Sequence, residues 1–198
     1  MVSSLLTQPL YIAIFYVVLL IAFWSDLRRT LTRSTPDEAD RHDHNSRRLI
    51  AVTGGGGILA GSGCAYALPM LAIEWRPLIV FSVGALLILA GGGLRQYAIR
   101  TLDQYFTTRV MIHSDQPVIE AGPYRWVRHP AYTGGLLLHL GIGVILANWA
   151  SIGVIVLGIG TAYWYRIHVE EQTLRRELGA EYIHYTERTP YRLVPFIW

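Results

Sequence analysis

The 198-residue sequence predicts an all-α integral membrane protein with about five transmembrane helices, N-terminus outside and C-terminus in the cytoplasm, and a cytoplasmic C-terminal region. Two observations carry that class. Hydrophobic residues make up 52% of the chain and charged residues 16%, for a mean hydropathy of +0.32. The apolar residues also cluster, into five nearly charge-free runs at 5–24, 49–73, 78–94, 131–147 and 150–165, each near the roughly 20 residues that cross a bilayer as a helix. The last two runs are short and separated only by Asn148 and Trp149, so a single re-entrant hairpin is the alternative to two spans.

The basic residues support five spans independently. All 17 are Arg. Six lie between runs one and two, only Arg76 between runs two and three, five between runs three and four, none between runs four and five, and five after run five. The positive-inside rule then puts 16 of the 17 on the cytoplasmic side. Because no basic residue precedes run one, that run is expected to stay as a span rather than be cleaved as a signal peptide. A sequence pI of about 9.1 raises nucleic acid as a partner. The arginines flank spans and form no basic stripe interleaved with aromatics, so membrane topology accounts for them and no nucleic-acid partner is expected.

Taken in order, the first three runs and the loop at 25–48 form an N-terminal part, residues 1–94. That loop mixes six Arg with five acidic residues around Pro36 and has little to bury. Its DRHDHN stretch at 40–45 has metal-ligand types at close spacing, but a solvated loop satisfies them equally and no metal is expected. Run two contains Gly54 to Gly57 and then Gly61. A phosphate-cradling loop would need a following Lys-Ser/Thr pair, so the glycines read as small residues that let helices approach closely. Gly91 to Gly93 read the same way, with local weakening of the helix as the other reading. Cys64, the one cysteine, sits within run two as a small packing residue. Among ionisable residues, only His139 lies inside the spans, fewer than an ion pathway usually shows.

Residues 95–198 hold the chemistry. After an amphipathic and then polar stretch comes GPYRWVRHPAYTGG at 122–135, where Pro117, Gly122, Pro123 and Pro130 forbid one continuous helix. The backbone there must lie folded at the membrane surface, with N–H and C=O groups that need water, protein or ligand as partners. Tyr124, Trp126 and Tyr132 are interfacial anchors on a plain reading, and His129 a satisfied interfacial histidine. At the end of run five stands RIHVEE, 166–171. Glu170 lies about 40° round the helix from Arg166 and Glu171 about 140°, so only Glu170 shares the arginine's face. Glu171 is assigned an exposed i,i+4 pair with Arg175. Arg166 and Glu170 form either a similar surface pair or, where the span meets the interface, an anchor for a carboxylate or phosphate.

In that order GPYRWVRHPAYTGG, the Asn-Trp turn, RIHVEE, GAEYIHY and the LVPFI ending resemble the isoprenylcysteine carboxyl methyltransferase family of integral membrane enzymes, over residues 115–197. RHPxYxG alone is shared with phospholipid methyltransferases and sterol reductases; its combination with RIxxEE is specific. The first three spans match nothing beyond their hydrophobic character. The resemblance implies S-adenosylmethionine as methyl donor, with a prenylcysteine-like or other lipid-linked carboxylate entering from the bilayer lipids. It implies cofactor contacts at Gln116, Pro117, Val118, Ile119, Tyr124, His129, Pro130, Ala131, Tyr132 and Glu170, and a substrate-holding Arg166, so that Arg166 and Glu170 carry the reaction. Arg109 stands where the family pattern has glutamine, and Glu181 and Tyr182 receive no contact. Alternatives are a phospholipid or other small-lipid methyltransferase on the same C-terminal module, or a non-catalytic membrane protein.

Overall fold

Among the described residues, five helices pack into an antiparallel bundle whose outer walls are apolar and whose polar groups gather at one end. The computed structural model describes residues 8–32, 46–105 and 117–198. Its helices are α1 (Pro9–Thr32), α2 (Ser46–Ala67), α3 (Pro77–Leu102), α4 (Pro130–Ile145) and α5 (Trp149–Arg188), with no strand among the described residues. Outward side chains such as Leu59, Leu86 and Leu157 are exposed, as lipid-facing residues are.

Each predicted run becomes a helix, with changed ends. Run two stops at Ala67 rather than at residue 73, because Pro69 cannot continue it and opens a 3-10 turn, Pro69–Leu71. The stretch expected as a loop at 25–48 is helical at both ends: α1 runs on through Thr32 and α2 begins at Ser46. Residues 25–32 include Leu and Arg, good helix formers, and contain neither Gly nor Pro, so nothing local stops the helix there. The DRHDHN stretch, Gln116 and Arg109 lie outside the described residues.

Three helices, Arg48–Ala67, Pro77–Leu102 and Trp149–Arg188, are long and apolar enough to cross a membrane; the apolar part of α1, Pro9–Trp24, and α4 are shorter. At 1.5 Å per residue α4 spans about 24 Å, against a hydrocarbon core of about 30 Å. Up to the kink at Gly179 α5 spans about 45 Å, half as long again as the core, so its part from about Arg166 onward projects beyond the span.

Helix contacts are made through small residues. α3 lies along α4, where a Cβ on Gly141 would fall 2.6 Å from the Gly84 carbonyl oxygen. α2 lies along α5, where Gly61 faces Ile155 and its carbonyl accepts a 2.6 Å hydrogen bond from Ser151 Oγ. α1 closes the bundle against α3, with Ala22 against Gly92 and the Tyr11 ring edge-on to Phe81 at 5.2 Å. Lipid offers no hydrophobic drive for these contacts, so close packing supplies the attraction. Gly55, Gly56 and Gly93 face open space, so only part of each glycine run serves packing.

At the end of the bundle away from the polar cluster, Asn148 joins the elements. Its Oδ1 accepts from the Ala150 and Ser151 amides, capping α5, and its Nδ2 donates to the Leu68 carbonyl at 2.9 Å. One side chain thus starts α5 and ties the α4–α5 hairpin to the turn after α2.

Candidate active site

The site begins with the break that GPYRWVRHP imposes. Gly122 takes φ +57°, a conformation that L side chains rarely adopt, and starts the 3-10 turn Gly122–Arg125. The chain then reaches Pro130, the first residue of α4. Because the segment cannot pair its backbone within a helix, other elements supply the partners. Arg128 N–H donates to the Tyr191 carbonyl and His129 N–H to that of Arg192, each at 2.9 Å. The C-terminal tail is therefore the partner of the RHP backbone. Thr133 Oγ1 adds a 2.7 Å bond to the Leu193 carbonyl.

Within this frame Tyr132 joins the two residues that share one face of α5. Its hydroxyl donates to Glu170 Oε2 at 2.6 Å and accepts from Arg166 Nε at 3.2 Å. Arg166 is 3% exposed and also donates from Nη1 to Ser46 Oγ at 2.7 Å, at the start of α2. The Tyr132 ring stacks between His129 and Tyr163, at centroid distances of 5.6 and 5.0 Å. The 40° offset expected of Arg166 and Glu170 is thus found as a single hydrogen-bonded row.

Glu171 corrects the sequence reading. Instead of an exposed pair with Arg175, its carboxylate is buried and takes Arg128 Nε at 2.8 Å and His129 Nε2 at 3.3 Å on one oxygen, and Arg192 Nε and Nη2 at 3.2 and 3.1 Å on the other. Arg128 further donates to the carbonyls of Thr189 and Pro190, at 2.8 and 2.7 Å. Burial alone would raise the Glu171 pKa. The hydrogen bonds and charges of His129 and Arg128 outweigh it and hold the carboxyl at about 2. The side of α5 that helical geometry made solvent-facing is covered by the tail. Nothing local signals this; the one hint in the sequence is a surplus of arginines, Arg128 and Arg192, beside elements that need a counter-charge.

The remaining expected positions gather around this row. Tyr124 is buried with Ile119 and Ala131 against Ala98 and Ile99 of α3; burial and the Glu170 charge push its phenol far above the ordinary range. Arg95 Nη1 donates to the Ala131 carbonyl at 3.2 Å. Pro130 is fully enclosed, Pro117 is exposed, and Trp126 has 62% of its surface exposed.

Past Glu171, α5 turns at Gly179, which adopts φ +54° and ψ −127°. That reversal sends the helical end back to the broken segment. Glu181 Oε1 accepts from Val118 N–H at 3.2 Å, Tyr185 Oη donates to the Tyr124 carbonyl at 2.7 Å, and Arg188 pairs with Glu120. Sequence reasoning left Glu181 without a contact; its contact is the backbone of 117–119.

A buried row of guanidinium, phenol and carboxylate thus lies at one end of an apolar-walled helical bundle, a donor and acceptor set suited to polar, charged groups. Comparison with known proteins places the chain in a family. The model of the isoprenylcysteine carboxyl methyltransferase family matches residues 83–176. The chain is 31% identical over 147 residues to "Protein-S-isoprenylcysteine O-methyltransferase B" of Arabidopsis thaliana, covering 67% of this chain and 74% of that protein. It is 33% identical over 135 residues to the "Probable protein-S-isoprenylcysteine O-methyltransferase" of Oryza sativa subsp. indica, covering 67% and 69%. The fold resembles the solved eukaryotic intramembrane Ras methyltransferase ICMT, with a TM-score of 0.61 and 22% identity, over 94% of this chain and 64% of that one.

The chain belongs to the isoprenylcysteine carboxyl methyltransferase family, and is a carboxyl O-methyltransferase. The family match begins in α3, and the solved fold covers nearly the whole chain. Both correct the expectation that nothing before residue 115 is shared.

Proposed function

We propose that this protein transfers the methyl group of S-adenosylmethionine to the carboxylate of a prenylcysteine-like or other lipid-linked substrate, at the cytoplasmic face of the membrane, with residues 95–198 as the methyltransferase core. The observation that carries this reading is the row Arg166–Tyr132–Glu170, where a carboxylate anchor and an anionic cofactor contact share one phenol at the end of a span. The residues fit the cofactor: Glu170 suits its cationic groups, the rings of Tyr124, His129 and Tyr132 offer flat faces, and residues 117–119 and 130–131 offer backbone. Once bound, it supplies an electrophilic methyl on a sulfonium.

The chain's own residues have a limited task. An α-carboxyl with an ordinary pKa of about 3.5 is anionic at neutral pH, so no general base is required. Arg166 holds and orients the carboxylate with its planar fork, and Tyr132 fixes the guanidinium relative to Glu170. In the present arrangement the Ser46 hydroxyl occupies Arg166 Nη1; an arriving carboxylate takes over that bond. Apolar walls keep water from both charged reactants. The cytoplasmic placement is supported by the arginine distribution, 16 of 17 on one side.

The test is isothermal titration of S-adenosylhomocysteine into detergent-purified protein, with methylation of a prenylcysteine analogue measured alongside. Wild type is expected to bind, and Arg166→Lys to bind equally while losing at least tenfold in methylation rate, since about 1.4 kcal/mol is tenfold and lysine lacks the two-point grip. Absence of binding by wild type, or a normal rate in Arg166→Lys, overturns the reading.

A further inference from the structure

Tyr182 is 3% exposed, and its hydroxyl is buried without a hydrogen-bond partner. A polar group enclosed in that way is costly, and native folds keep few of them. Two polar side chains that flank it in the helix, Glu181 and Tyr185, have partners of their own. Glu181 accepts from the Val118 amide and Tyr185 donates to the Tyr124 carbonyl, so the helix end after Gly179 grips both broken segments read above as wrapping the cofactor. Tyr182 lies between these two grips, three residues before Tyr185 and on the same side of the helix, its ring 5.9 Å from that of Tyr185. The charges of Glu171, Arg128 and Glu170 all act on its phenol, so it lies within electrostatic reach of both glutamates. Arg128 and both oxygens of Glu171 are committed to one another and to Arg192, His129 and the tail carbonyls, leaving the Tyr182 hydroxyl for another occupant.

We propose that the Tyr182 hydroxyl donates a hydrogen bond to an acceptor of bound S-adenosylmethionine, making Tyr182 a further cofactor-binding residue; this rests on the cofactor reading above. The phenol can only be the donor as an intact hydroxyl, and burial together with Glu171 pushes its pKa far above the ordinary range. It stays protonated at every working pH. The arrangement also gives a reason for the reversal at Gly179, which brings Glu181, Tyr182 and Tyr185 to the same broken segments.

A ligand contact and a purely structural tyrosine respond oppositely to removal of the hydroxyl. Titration of S-adenosylhomocysteine into the full chain in detergent is compared for wild type, Tyr182→Phe and Tyr185→Phe, together with thermal unfolding without ligand. Tyr182→Phe is expected to bind about three- to tenfold more weakly, the loss of one neutral hydrogen bond, while its unliganded melting temperature stays level or rises because an unpaired group has gone. Tyr185→Phe loses a made bond and is expected to melt lower. Wild-type affinity in Tyr182→Phe overturns this inference and leaves the proposed function standing; failure of wild type to bind overturns both. If Tyr182→Phe melts lower than wild type, the rise in melting temperature on saturation with S-adenosylhomocysteine reads the same contact. A smaller rise than in wild type sustains the inference, and an equal rise overturns it.

Discussion

Two adjacent glutamates show how far one residue's environment departs from its helical position. Glu170 lies on the face of Arg166 and shares Tyr132 with it, while Glu171, a step of 100° further round, is enclosed by Arg128, His129 and Arg192. Its folded pKa of about 2 lies below the ordinary 4.3, and the sign follows. The pairing stabilises the fold fully above about pH 4.5 and is lost as pH falls through that range toward 2. Melting of the detergent-solubilised wild type is therefore expected to fall steeply between about pH 4.5 and 2. Glu171→Gln is expected to melt lower at pH 7, with a cost of about 3 kcal/mol for leaving buried Arg128 without its counter-charge, and to show a shallower slope across that window. Equal slopes in the two proteins would show that Glu171 does not carry the acid sensitivity.

At the scale of elements, glycine spacing does the work that hydrophobic burial does in water. A Cβ on Gly141 would meet the Gly84 carbonyl oxygen at 2.6 Å and the Ile88 amide at 2.8 Å, backbone atoms that cannot swing aside, whereas a Cβ on Gly56 meets nothing within 4 Å. Gly141→Ala is expected to lower stability by about 1–3 kcal/mol through overpacking of α3 on α4. Gly56→Ala is expected to be neutral or to gain up to about 1 kcal/mol from helix propensity. Both are read by thermal unfolding in detergent; a Gly141→Ala protein as stable as wild type would mean that the helices are not held this close.

At the scale of the molecule, the five described helices alternate in direction, and the polar row lies at the end where the arginines collect. The proposed N-terminus-out, C-terminus-in orientation makes a direct prediction. In a Cys64→Ser background, Glu74→Cys is expected to react with an impermeant maleimide on intact cells, and Glu177→Cys only after permeabilisation; both positions are exposed. Reaction of Glu177→Cys from outside would reverse the orientation and move the site to the opposite face.

The sequence by itself determined the class of fold, the positions of five apolar helices and the arginine asymmetry, because bilayer thickness and the absence of water impose a length and a composition that can be counted along the chain. It also placed Arg166 and Glu170 on one face, since 3.6 residues per turn is a local property. Tertiary structure alone decided the rest. Tyr132 links that pair from 34 residues away in sequence, and Glu171 became a buried counter-ion because the tail folds across the side that local geometry left open. The three-residue stretch 117–119 met its partner in Glu181, 63 residues from Val118, only through the reversal at Gly179. Those contacts join segments whose separation in the chain carries no period and no spacing rule; which buried charge meets which is settled when the elements pack.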